Sequence, residues 1–175
     1  MGPVTFSAVS GAYAADSADV TVKVSAPQGA VLSASITAGG FSDVECSVTQ
    51  DKVSSGTLSV VANDPRGEGS GWNVTFKTGD KFTDTSDGSR SFSANAFKIT
   101  NQSLTPGQNS SADGVSTQTP GAGSTATSPQ KIMLAQQKSG MGSYTDTINA
   151  DVTVPKGTLV GQYKTTVTVS ITAGQ

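Results

Sequence analysis

The chain contains no histidine and, in 175 residues, a single cysteine, Cys46. Without histidine, the usual general base and the commonest metal ligand are missing. One cysteine closes no internal disulfide and offers no thiolate cluster for structural zinc. Cys46 lies between Val44 and Val48 at strand spacing, which predicts a buried thiol packing as a small hydrophobe. The alternative is a bridge to another chain. Charge is sparse too. Asp, Glu, Lys and Arg make up 14% of the residues and the net charge is −2, against roughly 25% charged residues in ordinary soluble domains. There is no basic field to release counterions from nucleic acid, and no basic run for anionic lipid. No segment approaches the roughly 18 apolar residues of a membrane span. One Trp, three Tyr and six Phe suggest no aromatic-lined cleft.

What is present is alternation. Hydrophobic residues reach 34%, with 20 Gly besides, so a core can form. ADVTVKVS (18–25) sets Val20, Val22 and Val24 against Thr21, Lys23 and Ser25. After Pro27-Gln28-Gly29 the period of two returns in Ala30, Leu32, Ala34 and Ile36. VECSVT (44–49), TLSVVAN (57–63), GWNVTFK (71–77), FKIT (97–100), KIMLAQQ (131–137), YTDTINADVTV (144–154) and QYKTTVTVSIT (162–172) follow. KIMLAQQ is the least regular. A period of two with β-branched residues marks strands half-buried on one face. Several short strands separated by turns predict an all-β, antiparallel sandwich. Residues 18–175 read as one such domain, and 1–17 as an N-terminal extension. Residues 105–129, rich in Ser, Thr, Gly and Pro, read as a long excursion from it.

The extension has two readings. Ala12-Tyr13-Ala14 before Ala15-Asp16 resembles a signal-peptidase site, yet no basic n-region precedes it. It is either the remnant of a leader or a strand. In the second case the alternating Val4, Phe6 and Ala8 would add to a neighbour's sheet, and head-to-tail addition gives a filament.

Chemical motifs are weak. Lys77-Thr78-Gly79, Ser93-Ala94-Asn95 and Ser128-Pro129-Gln130-Lys131 match fragments of penicillin-binding enzymes. They run in the reverse order, and no helix follows Ser128. We therefore expect no catalytic residues and no enzyme. Asp80, Asp84 and Asp87, and separately Asp64 and Glu68, crowd two turns. Calcium is the one metal they suggest, but their spacing is not that of an EF-hand, and Asp and Gly are ordinary turn residues. No other cofactor is expected. Asn73, Asn101 and Asn109 open N-x-Ser/Thr sequons.

LSVVANDPRGEGSGWNVTF (58–76) is more specific. A strand, an Asp-x-Arg-Gly turn, a Gly-rich spacer, Gly-Trp and a second strand resemble the first motif of WxL surface domains. Trp72-Asn73-Val74 stands for Trp-x-Leu. GMGSYTDTINADVTVPKGTLVGQYKTTVTVSIT (140–172) is similar to the family's second half. It has a Gly-x-Gly lead-in, a strand closed by Val-Pro and a final Gly-x-Tyr-x-x-Thr strand with Tyr163, Val167 and Val169. Val169 stands about where the family often carries a second Trp. The resemblance spans 57–172. It implies a secreted bacterial protein held non-covalently at the cell wall, among other surface proteins. Within the chain, Trp72, Val74 and Phe76 form a core-facing trio, each worth about 1.5–3 kcal/mol when buried. The readings carried forward are a structural or adhesive surface module bound to wall or to other surface proteins, a filament subunit that polymerises with itself, and a glycan-binding or hydrolytic β domain. All place the chain at the cell surface or outside it.

Overall fold

The computed structural model describes residues 22–120 and 127–174. It is built almost entirely of antiparallel strands. One sheet has the order β1-β2-β9-β6, from β1 (Ser33–Phe41), β2 (Lys52–Asp64), β9 (Gly142–Val154) and β6 (Phe97–Pro106). The second has the order β11-β3-β8-β7, from β11 (Val167–Ala173), β3 (Trp72–Thr78), β8 (Gln130–Ala135) and β7 (Val115–Thr117). These two sheets pack face to face. A small third sheet, β10-β4-β5, joins β10 (Tyr163–Lys164), β4 (Lys81–Asp84) and β5 (Ser91–Ser93).

The backbone of the first sheet is the pairing of β2 with β9. Their registers match over the whole of both 13-residue strands, from Lys52 opposite Val154 to Asp64 opposite Gly142. The inward face of β2 is Leu58, Val60 and Ala62, and that of β9 is Tyr144, Ile148, Ala150 and Val152, all buried. The second sheet answers with Trp72, Val74 and Phe76 from β3, each fully buried. Aromatic contacts join the layers. Phe76 stacks on Phe97 at 5.6 Å, and Trp72 tilts against Tyr144 at 5.7 Å between centroids. Such pairs add about 0.5–1.5 kcal/mol to their burial.

Two irregularities explain where alternation misleads. In β8, Ile132 is the extra residue of a bulge between the Val74 and Thr75 pairings. Ile132 and Met133 are consecutive, yet both are fully buried, which accounts for the irregular KIMLAQQ. In β6, a register shift falls at Thr100. Beyond it Gln102 and Leu104 pair with Ile148 and Asp146. The strand runs on to Pro106, where the sequence predicts a stop at Thr100.

Several expectations are corrected. The strand expected at 18–25 is not formed over its described part: residues 22–27 belong to no strand, with Val22 and Val24 77% and 89% exposed. The strand expected at 44–49 is absent, and Cys46 is exposed rather than buried. The segment crosses the mouth of a cleft instead of pairing, so its alternation has no sheet to face. The strand expected at 162–172 breaks at residues 165–166, where the chain passes from the small sheet to β11. The excursion at 105–129 carries the end of β6 and β7 within it, and Val115 is part of the core.

Candidate functional site

The tryptophan motif builds one end of the sandwich. Trp72 is fully buried, and its indole Nε1–H donates to the Gly140 carbonyl at 2.8 Å. Gly140 has φ +83, and a Cβ there would lie 2.6 Å from Trp72 Nε1 and against the Ala135 methyl. Gly71 has φ +70, and its Cβ would lie 2.5 Å from the Ala135 carbonyl oxygen. Both positions need a left-handed backbone and no side chain. Gly-Trp and the Gly-x-Gly lead-in thus belong to one seat for the indole. Tyr144 closes it, its single O–H proton shared between the carbonyls of Ser111 (2.8 Å) and Met141 (2.9 Å). Burial, and then the charge of Asp64, push the Tyr144 phenol above its usual range.

The Asp-x-Arg-Gly turn stands beside this seat. Arg66 donates to Asp64 through Nε (2.9 Å) and Nη2 (3.0 Å), and to Glu68 through Nη1 (3.0 Å). The Asp64 carboxylate is 1% exposed. Burial works to raise its pKa, but the hydrogen bonds and charge of Arg66 outweigh that and hold it below the usual carboxylate range. The turn is therefore locked by its own residues, as the fork geometry of Arg allows.

The acidic turn at 80–88 is organised in the same local way. Asp84 Oδ1 accepts from the Ser86 N–H (2.9 Å) and hydroxyl (2.8 Å). Asp87 accepts from Ser89 and pairs with Arg90 at 3.0 Å. The Ser86 and Ser89 hydrogen bonds lead in lowering these two carboxylates. Among the described residues, no three acidic, cysteine or histidine side chains converge on a point where they could hold a metal ion. The penicillin-binding fragments lie in separate elements: Thr78 ends β3, Ser93 caps the short 3-10 turn Ala94–Ala96, and Lys131 is on β8.

A cleft of about 630 Å³ opens at the other end of the sandwich. Its floor is the core itself: Phe41, Leu58, Phe97, Val152 and Val167. One flank is the aromatic group of the small sheet, where Phe82 stacks on Phe92 at 5.0 Å and Tyr163 tilts against Phe92 at 5.3 Å. Tyr163 also donates to the Leu159 carbonyl at 3.0 Å, which pins the loop carrying exposed Leu159 and Val160. The other flank is segment 42–47, which joins no sheet and is held at its ends, where the Ser42 N–H donates to the Ser55 carbonyl (2.9 Å) and the Gly157 N–H to the Ser47 carbonyl (2.7 Å).

Trp72, Val74 and Phe76 thus lie in the core, away from solvent. Val167 and Val169 lie half-buried on β11, with Val169 opposite Phe76. Tyr163 and Val167 reach the cleft. Val4, Phe6 and Ala8 lie outside the described residues. Sequence reasoning missed Phe41, Phe82, Phe92 and the Leu159-Val160 loop. The available signal was an apolar pair directly after a Pro-Lys-Gly-Thr turn and two Phe flanking an Asp-Gly turn.

A family model, WxL domain surface cell wall-binding, matches residues 17–175. No curated protein and no solved structure matches the chain. The match covers the resemblance at 57–172 and extends it through β1 to residue 17. It names binding to the wall as what the family does. The chain belongs to the WxL family of surface, cell-wall-binding domains.

Proposed function

We propose that this is a secreted, non-catalytic module that attaches to the bacterial cell wall through the cleft between the two sheets, and so holds a surface assembly in place. The observation that supports this reading is an apolar cleft open to solvent in a family of wall binders. Most ligand sites are concave, largely apolar and preformed. The tryptophan end offers no comparable surface, because Trp72 is fully covered. Co-sedimentation with isolated cell walls tests the reading. The chain is expected in the pellet at low and moderate salt, and recovery in the supernatant under both conditions refutes wall binding.

A second reading is supported by Val22 and Val24. They alternate on an unpaired segment just before β1, and β1 and β11 are both edge strands on the same side of the sandwich. An N-terminal segment that includes Val4, Phe6 and Ala8 would then add to a neighbour's edge and polymerise. Deletion of residues 1–17 abolishes filaments under this reading, and unchanged assembly in the electron microscope refutes it.

A further inference from the structure

The cleft carries charges as well as apolar surface. Asp43 and Glu45 come from segment 42–47, Lys52 from the start of β2 and Lys164 from β10. None of these four takes part in a salt bridge among the described residues. Two acids and two ammonium groups around an apolar floor are complementary to a ligand that carries both signs.

Most hydroxyl groups of the cleft, by contrast, already have partners in the backbone. Ser54 Oγ donates to the Ser42 carbonyl at 2.6 Å, and Ser42 Oγ accepts from the Ser55 N–H at 3.1 Å. Ser47 Oγ accepts from the Gln50 N–H at 3.1 Å, and Thr158 Oγ1 donates to the Pro155 carbonyl at 2.7 Å. Ser54 and Thr158 thus give their protons to backbone carbonyls, Ser42 and Ser47 accept from backbone N–H groups, and Thr165 Oγ1, which has no partner, is itself buried. Gln162 is the one amide side chain in the lining. A sugar ring has a periphery of neutral hydroxyls, which can hydrogen-bond to carboxylates and ammonium groups but give neither a countercharge. A short peptide needs apolar contact for its side chains and countercharges for its ends and ionised groups.

We propose that the cleft seats the peptide part of the wall rather than its glycan. The ligand class is a short stem peptide with small apolar side chains, a free carboxylate and a free ammonium group. Lys52 and Lys164 meet the carboxylate, Asp43 and Glu45 meet the ammonium, and the methyl groups lie against Phe41, Leu58 and Val167. This inference rests on the wall-binding reading and specifies it.

The test uses the full chain with three probes: intact sacculi, sacculi stripped of their peptides by an amidase, and a synthetic stem pentapeptide. The expected result is pelleting with intact sacculi, loss of pelleting with stripped sacculi, and competition by the peptide. K52Q/K164Q is expected to weaken peptide binding at least about tenfold, as loss of two charge-assisted contacts does. V53K, on the opposite face of β2, is expected to change nothing. Both variants alter solvent-facing positions, and unchanged melting temperatures confirm that they fold. Binding to intact sacculi that survives peptide removal, or that K52Q/K164Q leaves intact, overturns the peptide inference and leaves wall binding standing. No binding to intact sacculi overturns both. A dimer that K52Q/K164Q disperses assigns the cleft to a second copy of the chain and overturns the inference as well.

Discussion

Asp146 offers the sharpest test of the core. It projects inward from the middle of β9, fully buried between the sheets. Gln102 Nε2 donates to its Oδ2 at 2.7 Å and also to the Ile132 carbonyl at 3.2 Å. Asp146 Oδ1 and Gln102 Oε1 are both buried without a hydrogen-bond partner. Burial pushes the Asp146 pKa above the usual carboxylate range, against the lowering effects of Gln102 and the Ser103 backbone. The folded state therefore holds this proton more tightly than the unfolded chain does. Below the unfolded pKa of about 4 both states are protonated and the site has no effect. As pH rises through the folded pKa, the buried group ionises and stability is lost. Asp146→Asn keeps the shape, removes the charge and brings an N–H donor beside the unpartnered Gln102 oxygen. One uncompensated buried polar atom costs about 1–3 kcal/mol, so the variant should gain about 2 kcal/mol at pH 7. For a domain of this size that is a rise in Tm of about 6 °C. At about pH 3.5 the gain should vanish, because wild-type Asp146 is then neutral in both states. Thermal unfolding by circular dichroism across pH 3.5–8 reads both arms. A loss of stability at pH 7, or a gain of the same size at both ends of the range, refutes the reasoning.

Three further outcomes follow from other parts of the molecule. Gly140→Ala forces a Cβ into Trp72 and Ala135 at a positive φ and should cost about 2–4 kcal/mol. Denaturant unfolding followed by the fluorescence of Trp72 measures it, and a change below about 0.5 kcal/mol refutes the described seat for the indole. Arg66→Met strips the partner from a carboxylate that is 1% exposed and should cost about 3 kcal/mol at pH 7. Asp64 has a lowered folded pKa, so the Arg66 contribution is present above about pH 4 and fades as pH falls through the folded pKa. A cost that does not shrink in acid contradicts it. Cys46 is exposed, so a thiol reagent should label it fully in the folded chain at the rate of a small-molecule thiol. Protection that disappears only in denaturant would show the thiol to be covered.

The strands that alternate cleanly were legible in the sequence. Leu58-Val60-Ala62, Trp72-Val74-Phe76 and the run from Tyr144 to Val152 place one apolar face inward for a steric reason that needs no tertiary information: successive side chains of a strand point to opposite faces. The all-β class and the WxL resemblance rest on the same residues. Alternation failed where a local pattern had no sheet to complete it. Residues 22–25 and 44–49 have strand sequences without partners, and a strand is stable only when its backbone groups are paired. It failed again at the bulges in β6 and β8, because one inserted residue inverts the phase of everything after it.

The tertiary structure alone decided which polar residues are inside and which apolar residues are outside. Alternation sets Asp146 in phase with the apolar face of β9 and Asp151 on the other face, bonded to Ser55 at 2.6 Å, but only the packing of the second sheet shows that a carboxyl group is buried there completely. The cleft likewise gathers Phe41, Phe82, Leu58, Val152 and Lys164 from distant parts of the chain. The sequence by itself determined that this is an all-β chain of the WxL type without histidine chemistry, since composition and period of two are local properties. The position of the cleft depends on how the two sheets and the small third sheet close on one another, which is a property of long-range pairing.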